Sequence, residues 1–504
     1  MYMDFFNRSL IRFSWWSIKK VYRTLIVTVI GALFVAVIAF TLYIRSLPAL
    51  NTWHTTRLKN EFSIHSNIKS IEAYMALEDG LFDELETKVY DRVLPQEQNH
   101  INRYTRDSLA DPSRWKPNWN RSFELPVENP KGAVLLLHGM SDAPYSLHTQ
   151  AEYLHQNGYW VLGLRMPGHG TVPSGLTRIT WQDMAAVVEL GMKYLDKKLG
   201  SKPIHIMGYS TGATLALNYT LNALKEDSGL RVPDSLIFYS PAVGVSAAAP
   251  LAVWQSRIGH LLGISKLEWN SISPEYDPFK YGSFAVNAGD QVYRLAKRVQ
   301  EQFDDLEKHP AAKPFPPILS FSSIVDSTVS IPAVIDGLFN RLPISSGKKP
   351  TLVLFDINHN FDRNNVVRSA VQESLKTLRN TPLKPSYTFE LISNIDTGDE
   401  SVERIVNRQE RERLPYAWSK NLYSLSHLSL PITPDDPLYG NENAPKSPGI
   451  QLGHLAMYGE TGVLQIAPSA LLRQRWNPFH AYIKKRVLAF LKGMKQGSLR
   501  QSAP

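Results

Sequence analysis

Cysteine is absent from all 504 residues, which excludes disulfides, thiolate metal sites and a cysteine nucleophile together. The sequence also lacks an H-E-x-x-H zinc pattern, a calcium-loop pattern and a phosphate-cradling glycine loop. No metal and no cofactor is therefore expected. Basic runs are scarce. The net charge is +9, but Arg8, Arg12, Lys19, Lys20, Arg23 and Arg45 against Asp4 supply +5 of it in the first 45 residues. The remainder is dispersed, which argues for a membrane flank and against a nucleic-acid partner. Internal repeats and low-complexity segments are missing too. What remains is ordinary: 43% hydrophobic and 20% charged residues, in a chain long enough for a large core.

Long apolar runs are few, and one stands out. Residues 24–44 carry no charge, and as a helix they cross a hydrocarbon layer about 30 Å thick. Arg45-Ser-Leu-Pro follows, where a signal peptide has small residues at a cleavage site. A single uncleaved transmembrane anchor is predicted. More basic residues precede the span than follow it. The positive-inside bias then places residues 1–23 in the cytoplasm and the body outside the cell inner membrane, periplasmic in a double-membraned bacterium. Residues 45–120 read as a helical linker or packing region, with Ile64, Ile68, Ile71 and Met75 on one helical stripe.

From residue 121 to 504 one α/β domain is expected. Short apolar runs at 134–137, 159–164, 204–207, 236–239, 318–321 and 352–355 alternate with helical stretches at 181–195 and 211–224. That alternation predicts a mostly parallel sheet covered on both faces. Residues 243–315 form an aromatic insertion with Trp254, Leu261, Leu262, Tyr276, Phe279, Tyr281 and Phe284, read as a lid and as one wall of an apolar pocket. An extended C-terminal part runs over about 380–504. Within it, 387–392 and 422–425 are candidate strands, 403–413 a solvated surface, and 478–491 a closing amphipathic helix.

Two motifs carry chemistry. Gly208-Tyr209-Ser210-Thr211-Gly212 matches G-x-S-x-G, with a strand before it and a helix after it. A serine on so sharp a strand-to-helix turn is lifted out of the sheet to a helix N-terminus, where developing negative charge is favoured. Ahead of it, a strand ends in Leu136-Leu137-His138-Gly139-Met140. The backbone N–H groups of Met140 and Thr211 are the candidate oxyanion donors, and His138 is read as ordering its loop.

The segments VLLLHGMSDAPYS, LRMPGHGTVPSGL, IHIMGYSTGATLAL and SFSSIVDSTVS occur in this order over about residues 130–330. With them the chain resembles the α/β-hydrolase superfamily, in its branch of small carboxylesterases and monoacylglycerol lipases. The resemblance implies an α/β-hydrolase fold with a lid, and a Ser-Asp-His triad acting by acyl transfer. It also implies a loop-shaping role for His169. The acid is placed at Asp326, in the D-x-x-V context of Asp326-Ser327-Thr328-Val329; Asp356 is a weaker candidate.

Of the 14 histidines, His359, His427, His454 and His480 follow Asp326. His359 has close to the family's usual gap, yet sits among Asn358, Asn360, Asp362 and Arg363. His427 ends the apolar run 422–426 and precedes Pro-Asp-Asp-Pro-Leu-Tyr-Gly. That stretch resembles the signature of a bacterial subgroup in which the position of His359 is usually not histidine. A triad base must be held in one tautomer in a half-buried site, so His427 is preferred and His359 kept as the alternative base. His480 is read as structural. The resulting expectation is a membrane-anchored serine hydrolase cleaving a small acyl or lipid-like carboxylic ester. A peptidase or thioesterase on the same fold, and a tethered non-catalytic interaction protein, are the alternatives.

Overall fold

The computed structural model describes residues 3–244, 264–343, 348–363, 367–380, 382, 384–455 and 468–493. Helix α1 (Met3–Ser46) runs unbroken through the apolar span. Its Lys19–Ser46 portion contains an 18-residue stretch with a mean hydropathy of 2.8, none of it buried against the body, so it is long and apolar enough to cross a membrane. After the short α2 (Thr52–Thr55) comes α3 (Ile71–Lys88), started by Ser70, whose hydroxyl accepts the Ala73 N–H. Ile64 and Ile68 therefore precede the helix. The buried face is Ile71, Tyr74, Glu78, Leu81, Phe82 and Leu85, which corrects the stripe expected from Ile64.

The body is built on one ten-stranded sheet. Its strands are β1 (Phe123–Leu125), β2 (Ala133–Leu137), β3 (Trp160–Leu164), β4 (Ile204–Tyr209) and β5 (Ser235–Tyr239). A short pair in the insertion, β6 (Trp269–Ser271) with β7 (Phe284–Ala285), stands apart from it. The large sheet resumes with β8 (Ile318–Ser323), β9 (Thr351–Phe355), β10 (Thr388–Ser393), β11 (Ser401–Val406) and β12 (Glu410–Ala417). The strand order is β1-β3-β2-β4-β5-β8-β9-β10-β11-β12. Strands β3 to β10 in that order pair in parallel, while β1, β11 and β12 pair antiparallel at the two edges.

Alternation along the strands divides the core. Ala133, Leu135 and Leu137 of β2 face one apolar cluster with α5 (Trp181–Leu199) and α6 (Thr211–Ala223). Val134 and Leu136 face the other, with α4 (His148–Gln156) and the closing helix His480–Leu491. This is the doubly covered, mostly parallel sheet of an α/β-hydrolase fold.

Two details in the C-terminal part differ from expectation. Residues 403–413 are not a plain solvated stretch but lie in the β11–β12 hairpin. Glu403 opposes Arg413 and Arg404 opposes Glu412 across it, so alternating charge that reads as surface is cross-strand pairing at a sheet edge. Residues 422–425 form no strand; their backbone instead bonds to the ends of other strands. In the insertion, Trp254, Leu261 and Leu262 lie outside the described residues. Phe279 stacks on Tyr145 at 4.2 Å, and Tyr281 accepts the Thr171 N–H and donates to the Gly168 carbonyl.

Residues 46–120 are packed into the body. Arg165, fully buried at the end of β3, forks onto both Glu61 oxygens at 3.0 and 3.1 Å and reaches Glu78 at 3.0 Å. Burial pushes the Glu78 carboxyl up from its ordinary value, opposed by the Arg165 charge and by Ser122.

Candidate active site

Strand β4 hands over to α6 at Ser210, with no loop between them. Ser210 has φ 53° and ψ −115°, a sparsely populated conformation for a residue with a side chain. The flanking glycines are required by contact. A Cβ on Gly212 would lie 2.1 Å from the Leu137 carbonyl oxygen, and one on Gly208 would lie 2.5 Å from the Ala213 backbone. Gly212→Ala is therefore expected to push α6 off β2. The cost is about 1–3 kcal/mol of stability, read as an earlier thermal transition together with lost activity.

Asp326 lies in the turn after β8. Its Oδ1 accepts the Thr328 and Val329 N–H groups at 2.8 and 2.9 Å, which leaves Oδ2 for the His427 Nδ1 at 2.8 Å. Burial acts to raise this carboxyl, but the His427 bond and charge and the Val329 N–H outweigh it, and the group lies below the usual aspartate value. The side chain of Asp326 is fully buried and that of His427 is nearly so.

The loop carrying His427 is stitched to the strand ends. Ser323 donates to the Leu425 carbonyl at 2.8 Å, the Asn358 N–H donates to the Tyr423 carbonyl at 2.8 Å, and the Tyr209 hydroxyl reaches the His427 carbonyl at 3.4 Å. Farther along, Asp436 of the Pro-Asp-Asp-Pro turn accepts the Leu438 and Tyr439 N–H groups and the Tyr145 hydroxyl. Tyr439 in turn donates to Asp277 of the insertion. That motif fastens the C-terminal part to the insertion beside the site.

Ser210, His427, Met140 and Thr211 line one cavity of about 430 Å³. Gly139 passes over the serine so closely that a Cβ there would sit 3.2 Å from the Ser210 Cβ. His138 Nε2 accepts the Met166 N–H at 2.9 Å, so its Nδ1 carries the proton that bonds the Gly139 carbonyl. Burial drives His138 well below the ordinary histidine value and His169 down to about 4. Both are neutral supports of the loops around the cavity.

His359 is brought to a different place. Its Nε2 lies 3.0 Å from Asp356 Oδ2, and Arg379 donates to both Asp356 oxygens and to that same nitrogen. Ser393 completes the cluster. His480 is buried against Gln150 at 3.2 Å and His454 is exposed; neither lines the cavity. The cavity also receives Lys280 and Arg473, which the sequence reading did not single out, since nothing in their local pattern marks them.

Residues 128–343 match the family described as Serine aminopeptidase, S33. A thermostable monoacylglycerol lipase of Bacillus sp. (strain H-257) is 38% identical over 91 residues, 18% of this chain and 36% of that protein. The chain thus spans about a third of the length of that curated relative. Among solved structures, a soluble variant of monoglyceride lipase from Saccharomyces cerevisiae is 17% identical with a TM-score of 0.36, over 47% of this chain and 82% of that one. The monoacylglycerol lipase of Paleococcus ferrophilus is 17% identical with a TM-score of 0.35, over 51% and 98%.

Proposed function

We propose that the chain is a serine hydrolase of carboxylic esters on an α/β-hydrolase fold, with Ser210, Asp326 and His427 as its triad. His427 takes the proton of Ser210 as the hydroxyl attacks the ester carbonyl, and Asp326 holds the Nδ1–H and stabilises the imidazolium. The Met140 and Thr211 amides receive the oxyanion, each donor contributing about 3 kcal/mol. His427 then protonates the leaving alcohol, and water repeats the cycle on the acyl-enzyme. The observation that carries this reading is the 2.8 Å bond joining Asp326 to His427, which lines one cavity with Ser210.

The family description also names an aminopeptidase. An aminopeptidase needs a carboxylate for the substrate ammonium, yet no Asp or Glu is among the described residues lining the cavity. Its wall of Ala242, Phe284, Val292, Tyr293, Val329 and Leu428 suits an acyl chain. We read α1 as an anchor with the body on the outer face of the inner membrane and the substrate as lipid-like. In support, Lys266 of the insertion donates to the Leu47 carbonyl at the end of α1, tying the insertion to the point where the span ends.

A fluorophosphonate probe on the full chain in detergent is expected to label the parent and not Ser210→Ala. The parent is expected to hydrolyse 1-monoacylglycerol and to leave aminoacyl p-nitroanilides intact. Labelling that survives Ser210→Ala, or cleavage of the anilides alone, overturns the reading.

A further inference from the structure

Beside the acyl cavity lies a second one, of about 450 Å³, and Lys280, Leu428 and Arg473 line both. Its remaining wall includes Tyr276, Ser327 and Arg475. Among the described residues, the charges facing it are Lys280, Arg473 and Arg475 against one carboxylate, Asp277. Asp277 is already engaged, accepting from Tyr439 at 2.7 Å and from Arg475 at 3.4 Å. Lys280 bonds the Ser141 hydroxyl at 3.2 Å with Asp142 behind it at 3.8 Å. Arg473, half-buried, bonds the Thr328 hydroxyl at 2.9 Å and makes no ion pair with a carboxylate among the described residues. A guanidinium so placed presents planar donors to a phosphate or carboxylate.

We propose that this second cavity is an anion subsite, and that the preferred substrates are acyl esters whose alcohol carries a phosphate, as in a lysophospholipid. The inference rests on the serine-hydrolase reading above. With the acyl chain along Phe284 and Val292 and the carbonyl at Ser210, the leaving alcohol faces the boundary that Lys280 and Arg473 form. The anion then lies within reach of both cations. Two cations at one subsite also make recognition sensitive to salt, because their field is screened over about 10 Å at 0.1 M.

The test measures kcat/KM of the full chain in neutral detergent for 1-oleoylglycerol and 1-oleoylglycerol 3-phosphate, then for the water-soluble butyryl pair. A preference of about tenfold or more for the phosphate ester is expected in both pairs, the scale of one charged hydrogen bond. Arg473→Gln is expected to bring the ratio close to one through a higher KM for the phosphate ester, and Arg473→Lys to restore part of it. Loss of both hydrolyses would mean that the serine-hydrolase reading itself has failed. A ratio near one in an active parent sinks the anion subsite alone. So does a ratio untouched by Arg473→Gln, or a preference confined to the oleoyl pair, which would be recruitment to a charged micelle.

Discussion

His427→Ala is expected to lower kcat by about 10⁴-fold or more while His359→Gln stays within a few-fold of the parent, both measured on a p-nitrophenyl ester with the full chain. The two histidines are nearly matched in environment. Each is buried, each contacts a buried aspartate at 2.8 or 3.0 Å, and each follows a strand end or an apolar run. What separates them is what lies on the other side of the ring. His427 faces the cavity of Ser210. His359 Nε2 instead lies between Asp356 and Arg379, and His359 does not line that cavity. Ser210→Ala should match His427→Ala, because members of a triad act as a unit and their losses do not add. The reverse pattern, with His359→Gln inactive and His427→Ala active, would move the base to residue 359.

The legible part of this chain is the part where local pattern and tertiary role coincide. Each parallel strand buried on both faces is a short apolar run in sequence, and the turn at Ser210 needs two glycines whose spacing is visible without a structure. The start of α3 is not legible because Ile64 and Ile68 continue a helical period that Ser70 ends by capping, and periodicity alone does not see a cap. The β11–β12 hairpin is not legible because an edge strand exposes alternating charge, and Glu-Arg-Glu-Arg carries no apolar signal. The run 422–425, a candidate strand in the sequence, is a loop, so His427 is held without a strand of its own. Its order comes from Ser323, Asn358 and Tyr209, three residues dispersed over the sequence. The same holds for Lys280 and Arg473, 193 positions apart, which line the same two cavities where Tyr439 and Arg475 fasten the C-terminal part to Asp277 of the insertion.

Arg165→Met is expected to destabilise the protein by about 3–5 kcal/mol, because it leaves Glu78 buried without its cation. Thermal unfolding of the full chain in detergent measures this. Glu78 is 2% exposed and keeps only Ser122 as a donor once the guanidinium is gone. The sign of the pH dependence follows. Burial raises the folded-state pKa of Glu78 above its unfolded value, and removing Arg165 takes away the charge that opposes this rise. A group raised on folding supports stability below its unfolded pKa and loses that support as pH climbs through its folded pKa. The variant should therefore be less destabilised at pH 5 than at pH 8, and Arg165→Met with Glu78→Gln should recover part of the loss at pH 8. A pH-independent loss would mean that packing, and not the orphaned carboxylate, was the cause. The consequence reaches the chemistry. Arg165 also donates to the Met166 and His169 carbonyls, and the Met166 N–H fixes the His138 ring that orders Gly139 over Ser210. Helix α3 thus supports the Gly139 loop over Ser210 through one arginine, and the variant should lose kcat even at temperatures where it remains folded.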